Sequence, residues 1–292
     1  MSRTHNSTVR TAVRAAATVS LGLGTAGCSG TDSAATPVAV QLDFAAVAGA
    51  VALDCDTTLN LGATSRPARL QDLRFYVSEV ALVTRDGQEV PVALDADGVW
   101  QSDTVALLDF EAACESSGTP ETRSKVLGTV PPGDYTGLAF DLAVPFDENH
   151  LDSTTAPSPL NVTAMYWSWQ AGFKFLRLDL GLDGSGAFNF HLGSVGCESD
   201  SAVRPPDGSC ARPNHPRIVL SGFELGRSVV TLDIEALLAE VPLGEAEDPM
   251  MGSCHGADMQ TDICTPAFAR LGLDFATGNT TGATSAFALA AP

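Results

Sequence analysis

From residue 38 onward, apolar and polar positions alternate in short runs: "VAVQLDFAAVAGAVALD", "LRFYVSEVALV", "YTGLAFDLAV", "FKFLRLDLGL", "AFNFHLGSV", "RIVLSGFEL" and "SVVTLDI". A period of two sends successive side chains to opposite faces, so each run predicts a strand with one buried side. Turn chemistry separates the runs in "RDGQ", "DADG", "PPGD" and "LDGSG", where Gly, Asp and Pro supply the dihedrals that strands do not. The stretch "RLDLGLDGSGAFNFHLGS" predicts a β-hairpin turning at Asp183–Gly186. Helical patterning is confined to "SDTVALLDFEAAC" and "IEALLAEV", and no internal repeat is present. The pattern predicts an all-β chain forming a single β-sandwich, immunoglobulin-like or related, with short helices.

One run carries more than its share of aromatic mass. "MYWSWQAGFKFLRLDL" holds two of the three tryptophans in a chain that is 7% aromatic. Met165, Trp167, Trp169 and Ala171 have the same parity, so a regular strand would place them on one face. Residue type alone favours packing, because large apolar rings are core material. A functional site is the sharper alternative.

Composition narrows the setting. The chain of 292 residues has 35 Asp and Glu against 16 Lys and Arg, a formal charge of −19. Without a basic surface to displace counterions from phosphates, nucleic acid is excluded as a partner. Residues 1–27 carry Arg3, Arg10 and Arg14, no acid, a short apolar stretch and small residues before Cys28. That is the layout of a cleaved signal peptide. "TAGC" resembles a bacterial lipobox, with Thr25 in place of the usual Leu, so Cys28 is the expected lipidation site. Residues 28–37 then read as a polar linker and 38–292 as the folded domain. No later run of 18 apolar residues appears, so the expected membrane attachment is the lipid anchor alone. An exported periplasmic, outer-membrane or cell-surface lipoprotein is the implied location.

Beyond Cys28, six cysteines remain: Cys55, Cys114, Cys197, Cys210, Cys254 and Cys264. In an exported chain they predict disulfides with 15 conceivable connectivities. The short-loop pairs Cys197–Cys210 and Cys254–Cys264 are the simplest, leaving Cys55–Cys114. None forms a CxxC pair, which argues against a zinc ribbon, and "MGSCHG" lacks the CxxCH of covalent haem attachment. Neither an EF-hand loop, a G-x-S-x-G elbow, an H-E-x-x-H helix nor a phosphate-binding glycine loop occurs.

Five histidines are present, and His5 falls in the signal peptide. His150 lies in a predicted loop, His191 in a predicted strand, and His215 between two prolines as a loop residue. His255 sits in "DPMMGSCHGADM" with Met250, Met251 and Met259, where an exposed loop beside a disulfide is the favoured reading. Imidazole and thioether donors suit copper rather than magnesium or calcium.

The segments "VPFDENHLD", "APSPLNVTAMYWSWQAGFKFLRLD", "FHLGSVGC" and "CTPAFARLGLDF" resemble the MbnP family, also called metallo-mystery pair or four-Cys motif proteins. The resemblance spans roughly residues 38 to 290 and is most specific in 144–180 and 190–197. It implies a periplasmic, non-enzymatic copper-binding β-sandwich. It also implies a di-haem partner of the MauG type, the cytochrome c peroxidase-like MbnH, that oxidises a tryptophan to kynurenine. Histidines and the kynurenine amine would then hold the metal. Carried over by position, the ligands are His150, His191 and the product of Trp167 or Trp169. Met165 is a further candidate by its parity, and Trp100 is expected to pack. The competing expectation is a carbohydrate- or protein-binding module with the tryptophans as its contact face, distinguished by their exposure.

Overall fold

The computed structural model describes residues 35–114, 118–184, 186–201, 203–244, 253–255, 261–282 and 284–290. The signal segment, Cys28, most of the linker, and Met250, Met251 and Met259 lie outside them.

Two sheets carry the fold. The first orders its strands Phe287–Ala290, Val229–Asp233, Val38–Ala48, Lys125–Val130 and Ala93–Leu94, with Val51–Ala52 also against Val38–Ala48. Its pairing of Val38–Ala48 with Val229–Asp233 is parallel. The second sheet orders Gly186–Leu192, Leu176–Leu182, Arg66–Thr84, Tyr135–Asp141 and Arg217–Ser221. The 19-residue strand Arg66–Thr84 is its spine and also pairs with Leu59–Leu61, Glu89–Pro91 and Val105–Asp109.

Inward-facing phenylalanines lock the layers together. Phe44 and Phe287 of the first sheet meet Phe75 and Phe140 of the second edge-on, with ring centroids 5.6 to 6.3 Å apart. All four are nearly inaccessible, and the edge-to-face geometry adds to their burial. The all-β sandwich follows the alternation read from the chain.

Local departures have physical causes. "SDTVALLDFEAAC" contains the strand Val105–Asp109 rather than a helix, with all five residues buried and paired to Arg66–Thr84. A short apolar run buried on both faces has no decisive period, and sheet pairing decides it. The helix in "IEALLAEV" forms at Ile234–Leu238, where the Asp233 carboxylate accepts from the Glu235 and Ala236 N–H groups. A longer helix, Thr261–Arg270, takes in "CTPAFAR". The predicted hairpin forms with Leu182 opposite Gly186.

The disulfides are Cys55–Cys114, Cys197–Cys210 and Cys254–Cys264. They fit an oxidising compartment. Among the described residues, no helix is long and apolar enough to cross a membrane.

Candidate metal centre

The tryptophan run is not one regular strand. Met165 ends a 3-10 turn, Tyr166–Ser168 is a three-residue strand, and the chain reverses so that Ser168 faces Gly172. Gly172 has φ +79°, and a Cβ there would fall 2.5 Å from the Asn149 amide nitrogen. Glycine is required for both the turn and the close approach. The reversal removes the shared face on which the parity of Met165, Trp167, Trp169 and Ala171 depended. Met165 is fully buried in the core, whereas both tryptophans are half-buried.

The two indoles have different neighbours. Trp169 lies near Asp152, a carboxylate held below its usual range chiefly by the Thr154 backbone N–H and hydroxyl, with a smaller contribution from the Trp169 side chain. Its carbonyl accepts from His150 Nδ1 at 2.9 Å. Trp167 lies across Gly193 and beside His191, with ring centroids 6.4 Å apart. Trp100 packs against the core, away from this segment in sequence.

His191 occupies the strand Gly186–Leu192 opposite Arg177. Strand alternation places Arg177 and Asp179 on the face away from the fully buried Leu176, Leu178 and Leu180. His191 Nε2 lies 2.6 Å from Asp179 Oδ1, and Arg177 clamps the same carboxylate at 2.7 Å. Arg177 also reaches Asp72 at 3.1 Å, and Asp72 binds Arg74. Register explains the row, since Arg177 pairs with Arg74 and Asp179 with Asp72. Burial alone would raise the Asp179 carboxyl, but the His191 hydrogen bond, His191 itself and Arg177 outweigh it and hold it low.

Burial pushes His191 below its ordinary pKa, against the opposing pull of Asp179. The neutral ring therefore donates Nε2–H to the carboxylate and keeps its lone pair on Nδ1. That Nδ1 is buried and has no hydrogen-bond partner. A buried orphan acceptor on a ring otherwise locked in place is what a metal-binding nitrogen looks like before metal arrives. Nearby Lys174, pushed down to about 8 by burial, donates to the Ala164 carbonyl, as does Arg177.

His150 caps the short helix Phe146–Asn149 and is 6% exposed. Burial lowers its pKa, and the Trp169 carbonyl opposes that. Its Nε2 faces the Asn149 amide at 3.3 Å and Cys210 Sγ at 3.9 Å. His150, Cys197 and Cys210 place their donor atoms within 4.8 Å of one another. The two sulfurs are joined as a disulfide, so neither offers the thiolate that metals prefer. His150 and His191 thus flank the "WSW" segment from its two ends, at the Trp169 carbonyl and the Trp167 ring. His215 packs edge-on to Phe175 at 4.8 Å and is pushed down to about 4 by burial, with a smaller push from His150.

Sequence reasoning missed Asp179 as a partner of the site. Its available signal was "RLDL", where Arg177 and Asp179 alternate with leucines and so share one face of the strand.

The profile of the family described as MbnP matches residues 37–255. The solved structure "MbnP from Methylosinus trichosporium" superposes with a TM-score of 0.73 at 27% identity, covering 88% of this chain and 99% of that one. No curated protein matches the sequence. A profile match over most of the chain, together with a shared fold over nearly all of a solved relative, shows that the chain belongs to the MbnP family.

Proposed function

We propose that this protein is an exported, non-enzymatic copper-binding protein matured by oxidation of Trp167. The carrying observation is the juxtaposition of Trp167 with His191, whose free Nδ1 is buried without a partner. The donor set fits: two or more neutral imidazoles and an aromatic amine favour copper over hard cations. The Asp179 carboxylate is spent on His191 and Arg177, which leaves it to orient the imidazole.

In this reading a di-haem MauG-type partner consumes two peroxides to oxidise the indole by four electrons; two oxygen atoms enter as the C2–C3 bond breaks, and the peroxides are reduced to water. Hydrolysis of the formyl group then releases C2 as formate and leaves a ketone and a free aromatic amine. Trp167 is favoured over Trp169 because its ring stands beside His191, whose Nδ1 is buried without a partner. His150 remains a donor in the proposal, because its Nε2 contact with Asn149 is long at 3.3 Å. Copper, when bound, supplies an electron-rich soft centre; the chain's residues supply its orientation and its exclusion from bulk water.

Half-burial of both indoles disfavours the competing carbohydrate- or protein-binding module, which needs an exposed platform. Lipidation at Cys28 completes the proposal, anchoring the protein at a membrane.

Co-expression with the haem partner tests the function. Intact mass and peptide mapping should show kynurenine at position 167 and tight copper binding, and protein made alone should keep its tryptophan and bind weakly. Equal copper affinity with intact tryptophan sinks the reading. Affinity should also fall on acidification, because protons compete for the imidazole lone pairs.

A further inference from the structure

We infer that His255 is a copper ligand, its imidazole paired with that of His191; this rests on the copper reading above. The two rings lie 5.8 Å apart between centroids, inclined at 52°. With metal–nitrogen bonds of about 2.0 Å, two imidazoles on one ion hold their centroids roughly 5 to 6.3 Å apart. The observed spacing already falls in that window. The Trp167 ring stands 6.4 Å from His191, so His191 is the common neighbour of the indole and the second imidazole.

The fold holds His255 there by several independent contacts. Residues 253–255 run as a short parallel addition to the strand carrying His191, with Cys254 bridged to Phe190. His191 N–H donates to the Cys254 carbonyl at 2.8 Å, and Cys254 N–H donates to the Asn189 carbonyl at 2.7 Å. The Ser253 hydroxyl accepts from Asn189 N–H at 3.1 Å. Cys254 is also bonded to Cys264 in the helix Thr261–Arg270. A residue adjacent to a disulfide and a β-bridge loses little further freedom when it binds, which is how preorganised ligands gain affinity.

His191 meets its half of the requirement. The ring is 9% exposed, Asp179 fixes Nε2, and Nδ1 has no partner. No trio formed by His150, His191 and His255 brings its donor atoms within 4.8 Å among the described residues. The imidazole pair beside Trp167 is His191–His255.

The test uses the mature protein, co-expressed with its haem partner, and Cu(I) alone as probe, measured by chelator competition. His255→Ala should weaken binding by at least the roughly 10- to 100-fold that follows loss of a ligand's supporting partner, and His255→Met should recover part of the loss through its thioether. Diethylpyrocarbonate footprinting of the unsubstituted protein needs no variant: Cu(I) should protect His255 and His191 together. Tight wild-type binding with full affinity in His255→Ala, or unprotected His255 in the copper-loaded protein, overturns the assignment and leaves the copper function standing. Weak binding by oxidised wild-type protein overturns both.

Discussion

Gly193→Ala isolates the seat of Trp167 without touching a donor atom. A Cβ at this position would fall 2.5 Å from Trp167 Cζ3, 3.0 Å from Cη2 and 2.8 Å from the Phe173 carbonyl oxygen. Ordinary contacts need nearly 1 Å more, so the indole must swing aside and the Phe173 backbone must also yield. The glycine cannot retreat easily, because its own carbonyl accepts from the fully buried Asn214 amide at 2.7 Å. Overpacking of this kind costs about 1–3 kcal/mol. Gly193 is not among the left-handed glycines, so alanine also restricts the unfolded chain and returns about 0.4–1 kcal/mol. The net expectation is a loss of about 1–2 kcal/mol. With a urea m-value of about 2–3 kcal/mol/M, the unfolding midpoint should drop by roughly 0.5 M. Urea titration followed by circular dichroism, with disulfides intact, reads the stability; indole emission reads the displaced ring. Kynurenine yield on co-expression should fall with them. An alanine variant as stable as wild type, with unchanged emission, would show that Trp167 does not rest on Gly193.

Three further outcomes follow from other parts of the molecule. Asp179→Asn should weaken copper binding by about 10- to 100-fold, since the orienting carboxylate of His191 is lost, while circular dichroism confirms a retained fold; unchanged affinity would remove Asp179 from the site. His215, pushed down to about 4 by burial, folds as the neutral ring, so its contribution is present above pH 6.5 and lost as pH falls toward 4. Because Asp109 is raised to about 7 by burial, it acts with the opposite sign in that window, and the quantity to measure is wild type minus His215→Phe. That difference should change by up to about 3 kcal/mol between pH 7 and 4, and a flat difference would refute neutral burial of His215. Replacing Cys55 and Cys114 by serine opens a 59-residue loop and should cost about 4 kcal/mol on the chain-entropy account. The 13-residue loop of Cys197–Cys210 should cost nearer 3 kcal/mol, and denaturant midpoints that reverse this order would contradict the ranking.

The sequence by itself determined the elements whose period was unambiguous. Strands such as Val38–Ala48 alternate cleanly, because a half-buried sheet imposes a period of two wherever one face is wet. It also determined the export context and the simplest cysteine pairing, since short loops close at the least entropic cost. Val105–Asp109 was not legible, because a run buried on both faces has no period to read. The parity of Met165, Trp167 and Trp169 misled for a related reason: it holds only while the strand continues, and Gly172 ends it. At the candidate site, residue type and motif resemblance pointed to His150, His191 and the "WSW" segment. Only tertiary structure decided their neighbours. Asp179 meets His191 through hairpin register, and Cys254 carries His255 to the same ring across more than sixty residues. Such contacts depend on pairing and packing between strands, which local composition does not encode.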